Sequence, residues 1–179
     1  MRFTPTPLPG TWLLEPEPAG DERGHFARTF DREEWEAHGM DPRVEICASS
    51  VSTRTGTLRG MHLQAGPHGE PKLIRVARGA IFDVFVDLRP ESPQYRRWYG
   101  AELSAANGRM LYAPPGLAHG FQTLADDTEV LYLIGAPYVP DAATGVRWDD
   151  PLLAIDWPPP PPGGRTITAR DRAWPLLEP

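Results

Sequence analysis

The stretch "AIFDVFVDL", residues 80–88, decides the fold. A side-chain period of two puts Phe82, Val84, Val86 and Leu88 on one face of a strand. Ile81, Asp83 and Phe85 fall on the other. Working outward, similar short apolar or alternating runs precede it, among them "TWLLE", "FARTF", "VEICASSV", "TLRGMHL" and "KLIRVARG". Others follow it: "RRWYGAEL", "RMLYAP", "HGFQTL" and "EVLYLIG". They recur roughly every ten residues between turns such as "AANG" and "PPG", the spacing of an all-β sandwich or barrel.

One helix is predicted in "DREEWEAHGM" (31–40), with Asp31 as its cap, Glu34 completing a capping-box-like pair and Gly39 as its stop. A second short turn is expected near Pro151. The proline run "PPPPPGG" from Pro158 reads as an extended surface connection, so residues 158–179 are expected to form a C-terminal tail. No repeat and no second domain is evident, and the 179 residues read as one domain.

Composition removes several function classes. A net charge of −6 argues against nucleic-acid binding, which needs a basic face. No stretch reaches membrane-spanning length, and the opening residues lack a signal peptide's apolar run. The single cysteine, Cys47, fits a reducing compartment. The expectation is a soluble, cytoplasmic protein, with a local basic pocket for a phosphorylated ligand left open. Lys72 is the only lysine among eighteen basic residues, a mild hint that arginine does not serve at that position.

The turn "PPGLAHGF" (114–121) delivers His119 at the start of a strand, and "GMH" carries His62. Together they resemble the two-motif outline of the cupin small barrels, many of which bind a metal. Here Gly60 stands two residues before His62, so the His-x-His pair of such sites is absent. His68 and Glu70 lie in a Gly- and Pro-rich turn where nothing forces them inward. A metal site wants three or four convergent ligands, and the sequence supplies two at most, so no metal is expected. His62, His119, Lys72, Asp83 and Tyr132 instead form a polar cluster on neighbouring predicted strands. Burying such a cluster is costly, and the cost is usually tolerated for function.

A closer resemblance covers the chain from about Pro9 onward. "RGMHLQ", "PKLIRVARGAIFDVFVDLRPESPQYRRWYGAELSAAN", "YAPPGLAHGFQTL", "EVLYL", "GVRWDDP" and "ITARDRAWP" occur in order, as in the dTDP-4-dehydrorhamnose 3,5-epimerase family. The resemblance implies a cupin-like jelly-roll barrel with one or two short helices, forming a homodimer. It implies cofactor-free epimerisation of a nucleotide-linked 4-keto-6-deoxyhexose at C3, C5 or both. It makes His62 the general base, Tyr132 the opposing general acid and Asp171 the group that orients His62. Arg59, Arg23 and Arg170 become diphosphate contacts, and Phe26 and Tyr138 stack on the base. Arg23 and Phe26 are expected from an N-terminal strand lent by the partner subunit. His119 and Asp83 become supporting or sugar-contacting groups.

The chemistry agrees with these roles. Removing a proton beside a ketone needs a base of near-neutral pKa, and a positive group where the oxyanion develops. A compact ammonium suits one oxygen, which assigns Lys72 there. Read without the resemblance, Tyr132 and Tyr138 are barrel aromatics, Asp171 a solvated carboxylate, and Lys72 and the arginines surface residues. Strict alternation also places Arg59 opposite His62, so Gly60 must admit a bulge. Arg28, Cys47, Ser49 and Ala143 depart from the family's residues at positions that recognise base, sugar or phosphate. Two other readings stay open: a 3-epimerase or keto-isomerase relative using another nucleotide, and a non-catalytic cupin that binds sugar nucleotides.

Overall fold

The computed structural model describes residues 1–178 and is built almost entirely of antiparallel strands. One sheet orders β1 (Arg2–Pro5), β2 (Trp12–Glu15), β10 (Met110–Ala113), β7 (Lys72–Arg78), β12 (Thr128–Ile134) and β5 (Ile46–Ser52). The facing sheet orders β13 (Ala143–Gly145), β6 (Leu58–Gln64), β11 (Leu117–Thr123), β8 (Ala80–Asp87) and β9 (Trp98–Ser104). A separate hairpin pairs β3 (Ala19–Asp21) with β4 (Gly24–Phe26). The result is the expected cupin-like jelly roll. The run "FARTF" differs from expectation, because strand β4 ends at its first residue, Phe26.

Alternation along β8 sorts its residues as predicted. Ile81 and Phe85 enter the core between the sheets, with Ile74, Leu111, Phe121 and Val130. Val84 and Val86 face the other way, against Val146, Leu153 and Trp157, with Phe82 packed alongside. A third cluster, around Trp35 and Met40, covers the outer side of the first sheet through Leu14, Leu73 and Met110. Both sheets are therefore covered on both faces, and apolar residues occupy both sets of alternating positions.

Helix α1 (Arg32–Ala37) carries Trp35 into that third cluster, and the Asp31 carboxylate caps it by accepting from the Glu33 and Glu34 amides. Glu34 does not complete a capping box: its carboxylate lies 3.4 Å from the N-terminal ammonium. The segment after Pro158 is not a loose tail. The Leu58 amide donates to Thr166 O at 2.9 Å and the Thr166 amide to Gly56 O at 3.1 Å. Further on, the Leu177 amide donates to the buried Asp150 at 2.6 Å. Between these anchors the chain forms α2 (Ala169–Arg172), capped by Thr168. Among the described residues no helix is long and apolar enough to cross a membrane.

Candidate active site

A cleft of about 460 Å³ opens between the two sheets, lined by Arg59, His62 and His119 from the second sheet and Lys72 and Tyr132 from the first. Thr168, Arg170 and Asp171 close one side of it. A neighbouring recess of about 200 Å³ shares His62, Lys72 and Arg170, and adds Glu70, Tyr138, Ala143 and Trp174. His62, Lys72, Tyr132, Asp171, Arg59, His119, Arg170 and Tyr138 thus converge as the sequence predicts.

Arg59 reaches the cleft through the bulge that alternation required. On β11, His119 pairs with His62 and Phe121 with Arg59, so three residues of β6 oppose two of β11. One extra residue returns Arg59 to the His62 face. Gly60 makes this possible: its φ is +142°, and a Cβ there would lie 2.6 Å from Gly120 Cα. The same contact explains the missing His-x-His pair, since no side chain fits where its first histidine would stand. Among the described residues, no group of three His, Cys, Asp or Glu converges as metal ligands.

His62 Nε2 lies 2.8 Å from Asp171 Oδ1, and the His62 side chain is 41% exposed to the cleft while Asp171 is 6% exposed. A carboxylate accepts, so Nε2 carries the proton and Nδ1 is left as the basic nitrogen. Asp171 is itself fixed: its Oδ2 accepts from the Gly60 amide at 3.3 Å, and its amide donates to Thr168 Oγ1 at 3.2 Å. Desolvation lowers the His62 pKa below 6.5, and the hydrogen bond to Asp171 opposes that shift. The balance keeps the imidazole neutral near pH 7, as a base must be.

Tyr132 faces His62 from the opposite sheet. Burial pushes its phenol up to about 12, although a 3.0 Å hydrogen bond with Ser50 works the other way. The phenol therefore holds its proton at neutral pH. His119 is paired through Nε2 to Asp83 Oδ1 at 2.6 Å. Asp83 is fully buried and absent from the cleft lining, so of the two roles expected for it the structure leaves the supporting one, behind His119, and removes contact with a sugar. Burial raises its carboxyl pKa against the opposing pull of His119, and its Oδ2 has no partner.

The cleft's two guanidiniums are free of carboxylates among the described residues. Arg59 donates to Ser52 Oγ at 3.2 Å and Val51 O at 3.1 Å, and Arg170 lies over the Trp174 ring at 5.4 Å. Guanidiniums so placed favour an anionic ligand such as a diphosphate. Lys72 is paired, its Nζ 2.6 Å from Glu70 Oε1, so Glu70 turns inward although nothing in the turn's sequence forces it to. His68, in the same turn, is exposed as predicted.

Arg23 and Phe26 stay outside this chain's cleft. They sit on the β3–β4 hairpin, where Arg23 is 83% exposed and bound to Asp21, and Phe26 is 73% exposed. Arg28 is tied to Asp31 at 2.8 Å. Cys47 and Ser49 lie on the exposed face of β5, whereas Ala48 and Ser50 line the cleft. Ser50, Glu70 and Trp174 are site residues that sequence reasoning missed. Glu70 carried a signal: it stands two residues before Lys72, on the same face of an extended chain. Trp174 lies in the quoted motif "ITARDRAWP", but nothing local marks it as a wall 6.1 Å from the His62 ring.

Residues 5–179 match the family described as dTDP-4-dehydrorhamnose 3,5-epimerase. The enzyme of that name from Methanothermobacter thermautotrophicus is 44% identical over 99% of this chain and 96% of its own. A dTDP-4-dehydrorhamnose 3-epimerase from Streptomyces niveus is 40% identical over 88% of this chain and 76% of its own. The crystal structure of the Bacillus anthracis 3,5-epimerase, with TDP and PPi bound, superposes with a TM-score of 0.93 at 40% identity, covering 98% of this chain and 99% of that one. The fold, the cleft and these relatives agree: the chain belongs to the dTDP-4-dehydrorhamnose 3,5-epimerase family.

Proposed function

We propose that this chain is an epimerase of a dTDP-linked 4-keto-6-deoxyhexose in deoxysugar biosynthesis, inverting the carbons that flank the C4 ketone. The observation that carries this reading is the placing of His62 and Tyr132 on opposite walls of one cleft, with His62 held by the buried Asp171. Inversion at carbon needs a base on one face of the ring and an acid on the other.

In each half-reaction, Nδ1 of His62 removes the proton from the carbon beside the ketone. The C–H electron pair becomes the enolate, whose charge collects on the C4 oxygen. The Lys72 ammonium stabilises that oxygen, a role that pre-set charge in a water-poor cleft performs well. The Tyr132 phenol then gives its proton to the carbon from the opposite face, leaving a tyrosinate and an imidazolium that solvent resets. No electrons are exchanged with any carrier, so the chemistry calls for no cofactor. Arg59 and Arg170 take the diphosphate, and Tyr138 at the rim stacks on the base.

The exposed hairpin supports a homodimer in which the chain is one catalytic domain. Arg23 and Phe26 are exposed and outside this chain's cleft, which suits side chains lent to a second copy to complete its base and phosphate contacts. The lone exposed thiol Cys47 fits a cytoplasmic setting. Incubation with dTDP-4-keto-6-deoxyglucose, followed by NMR of the product ring couplings, tests the function. The expected product is inverted at C3 and C5. Recovery of unchanged sugar, under conditions where a known family enzyme converts it, contradicts the reading.

A further inference from the structure

Two residues before the only lysine stands a carboxylate that holds it. Glu70 and Lys72 flank Pro71 on an extended segment, so both side chains turn to the same side, into the recess beside His62. Nζ and Oε1 are 2.6 Å apart, and the two side chains are only 11% and 10% exposed. The other carboxylate oxygen, Oε2, accepts from Gln64 Nε2 at 3.0 Å. Gln64 is buried, and its Oε1 accepts from the Val139 amide at 2.6 Å. Its Nε2 also faces Pro137 O at 3.0 Å. Both oxygens of Glu70 are thus bound, and Gln64 links them to the segment that carries Tyr138.

We propose that Glu70 is a positioning residue, which fixes the Lys72 ammonium where the enolate oxygen forms and is itself fixed by Gln64. This rests on the reading of Lys72 as the enolate's counter-charge. A lysine side chain is long and flexible, and a charge that must be gathered during the reaction stabilises a transition state less than one already in place. An ammonium has three donors, so the bond to Glu70 leaves two for substrate oxygen. The pair is also neutral when viewed from a distance. An incoming diphosphate is therefore drawn to Arg59 and Arg170, the cleft cations without a carboxylate partner among the described residues, and Lys72 stays free for the sugar.

The test compares Glu70→Gln, Lys72→Ala and the double variant, alongside protein labelled with 15N-lysine. Because the chain has one lysine, its Nζ–H correlation is a single peak. The expected result is a roughly 10- to 100-fold fall in kcat for Glu70→Gln, with KM within about threefold of wild type. The double variant should be no slower than Lys72→Ala, since Glu70 acts through Lys72. The lysine peak, visible at neutral pH in the wild type, should broaden in Glu70→Gln as its protons exchange faster. Wild-type turnover by Glu70→Gln beside an inactive Lys72→Ala overturns the proposal and leaves the Lys72 reading intact. Additive losses in the double variant, or a lysine peak unchanged by Glu70→Gln, make Glu70 structural only and also overturn it. Full activity in Lys72→Ala removes the Lys72 reading itself.

Discussion

Asp171 Oδ1 lies 2.8 Å from Nε2 of His62, although the two stand 109 positions apart along the chain. The contact sets the tautomer of the base and offsets part of the desolvation that burial imposes on its charged form. Asp171→Asn keeps the shape but lets the amide present either an oxygen or an NH2 group. Its kcat is expected to fall about 10²- to 10⁴-fold with little change in KM. Steady-state kinetics on the 4-keto sugar check this, and a loss below fivefold contradicts the role given to Asp171.

The pH profile follows from the same pair. In the proposed mechanism His62 acts as the neutral base, so kcat/KM should fall as pH drops through its pKa. Desolvation lowers that pKa, which places the acid limb below the ordinary imidazole value of 6.5. Asp171→Asn removes the interactions that raise it, and the acid limb of the residual activity should move lower still. A limb above 6.5 in the wild type contradicts this assignment.

Burial keeps the Tyr132 phenol protonated, so the proposed mechanism has it give a proton. In Tyr132→Phe the base remains, so proton removal continues while delivery from the opposite face stops. The expected outcome in heavy water is deuterium wash-in with the original configuration retained, and inversion reduced by about 10²-fold or more. Mass spectrometry and ring couplings distinguish the two. Undiminished inversion by this variant removes Tyr132 as the acid.

Asp83 is a stability cost kept within the core beside the cleft. Burial raises its carboxyl pKa above the ordinary 3.8. The folded state therefore holds its proton more tightly than the unfolded chain, and stability falls as pH rises from the unfolded value towards the raised one. Asp83→Asn removes that dependence. Its Tm should exceed the wild type's by more at neutral pH than at the most acidic pH at which the protein stays folded, with activity reduced because His119 loses its carboxylate partner. A Tm difference that shrinks with rising pH contradicts the account.

If the hairpin completes a neighbour's site, two inactive variants can rescue each other. An Arg23→Ala, Phe26→Ala chain lacks the lent contacts, and a His62→Ala chain lacks the base. Refolded together in equal amounts, random pairing gives half mixed dimers, each with one intact site. About a quarter of wild-type activity should return. No recovery from dimers verified as mixed contradicts the exchange.

Much of this architecture is legible in the residues. The period of two in 80–88 sorts Phe85 from Val84 correctly, and Asp31 marks the start of α1. The site is less so, because its geometry depends on non-local register. Arg59 joins His62 only through the bulge at Gly60, which alternation called for once the resemblance put both residues in one site, but whose pairing with β11 no local pattern in β6 fixes. Asp171 looks like a solvated carboxylate because α2 is four residues long and shows no amphipathic stripe. Its burial comes from the hydrogen bonds that strap residues 166–177 to the second sheet and its flanking loops. Ser50 and Glu70 were missed because each acquires meaning from one partner, Tyr132 or Lys72.

The central claim is that His62 moves the proton beside the C4 ketone. Deuterium wash-in from heavy water into dTDP-4-keto-6-deoxyglucose, compared between wild type and His62→Ala, tests it most directly. The account predicts deuterium at C3 and C5 with the wild type and none above background with His62→Ala, which should still bind the nucleotide sugar. Normal wash-in by His62→Ala would contradict it.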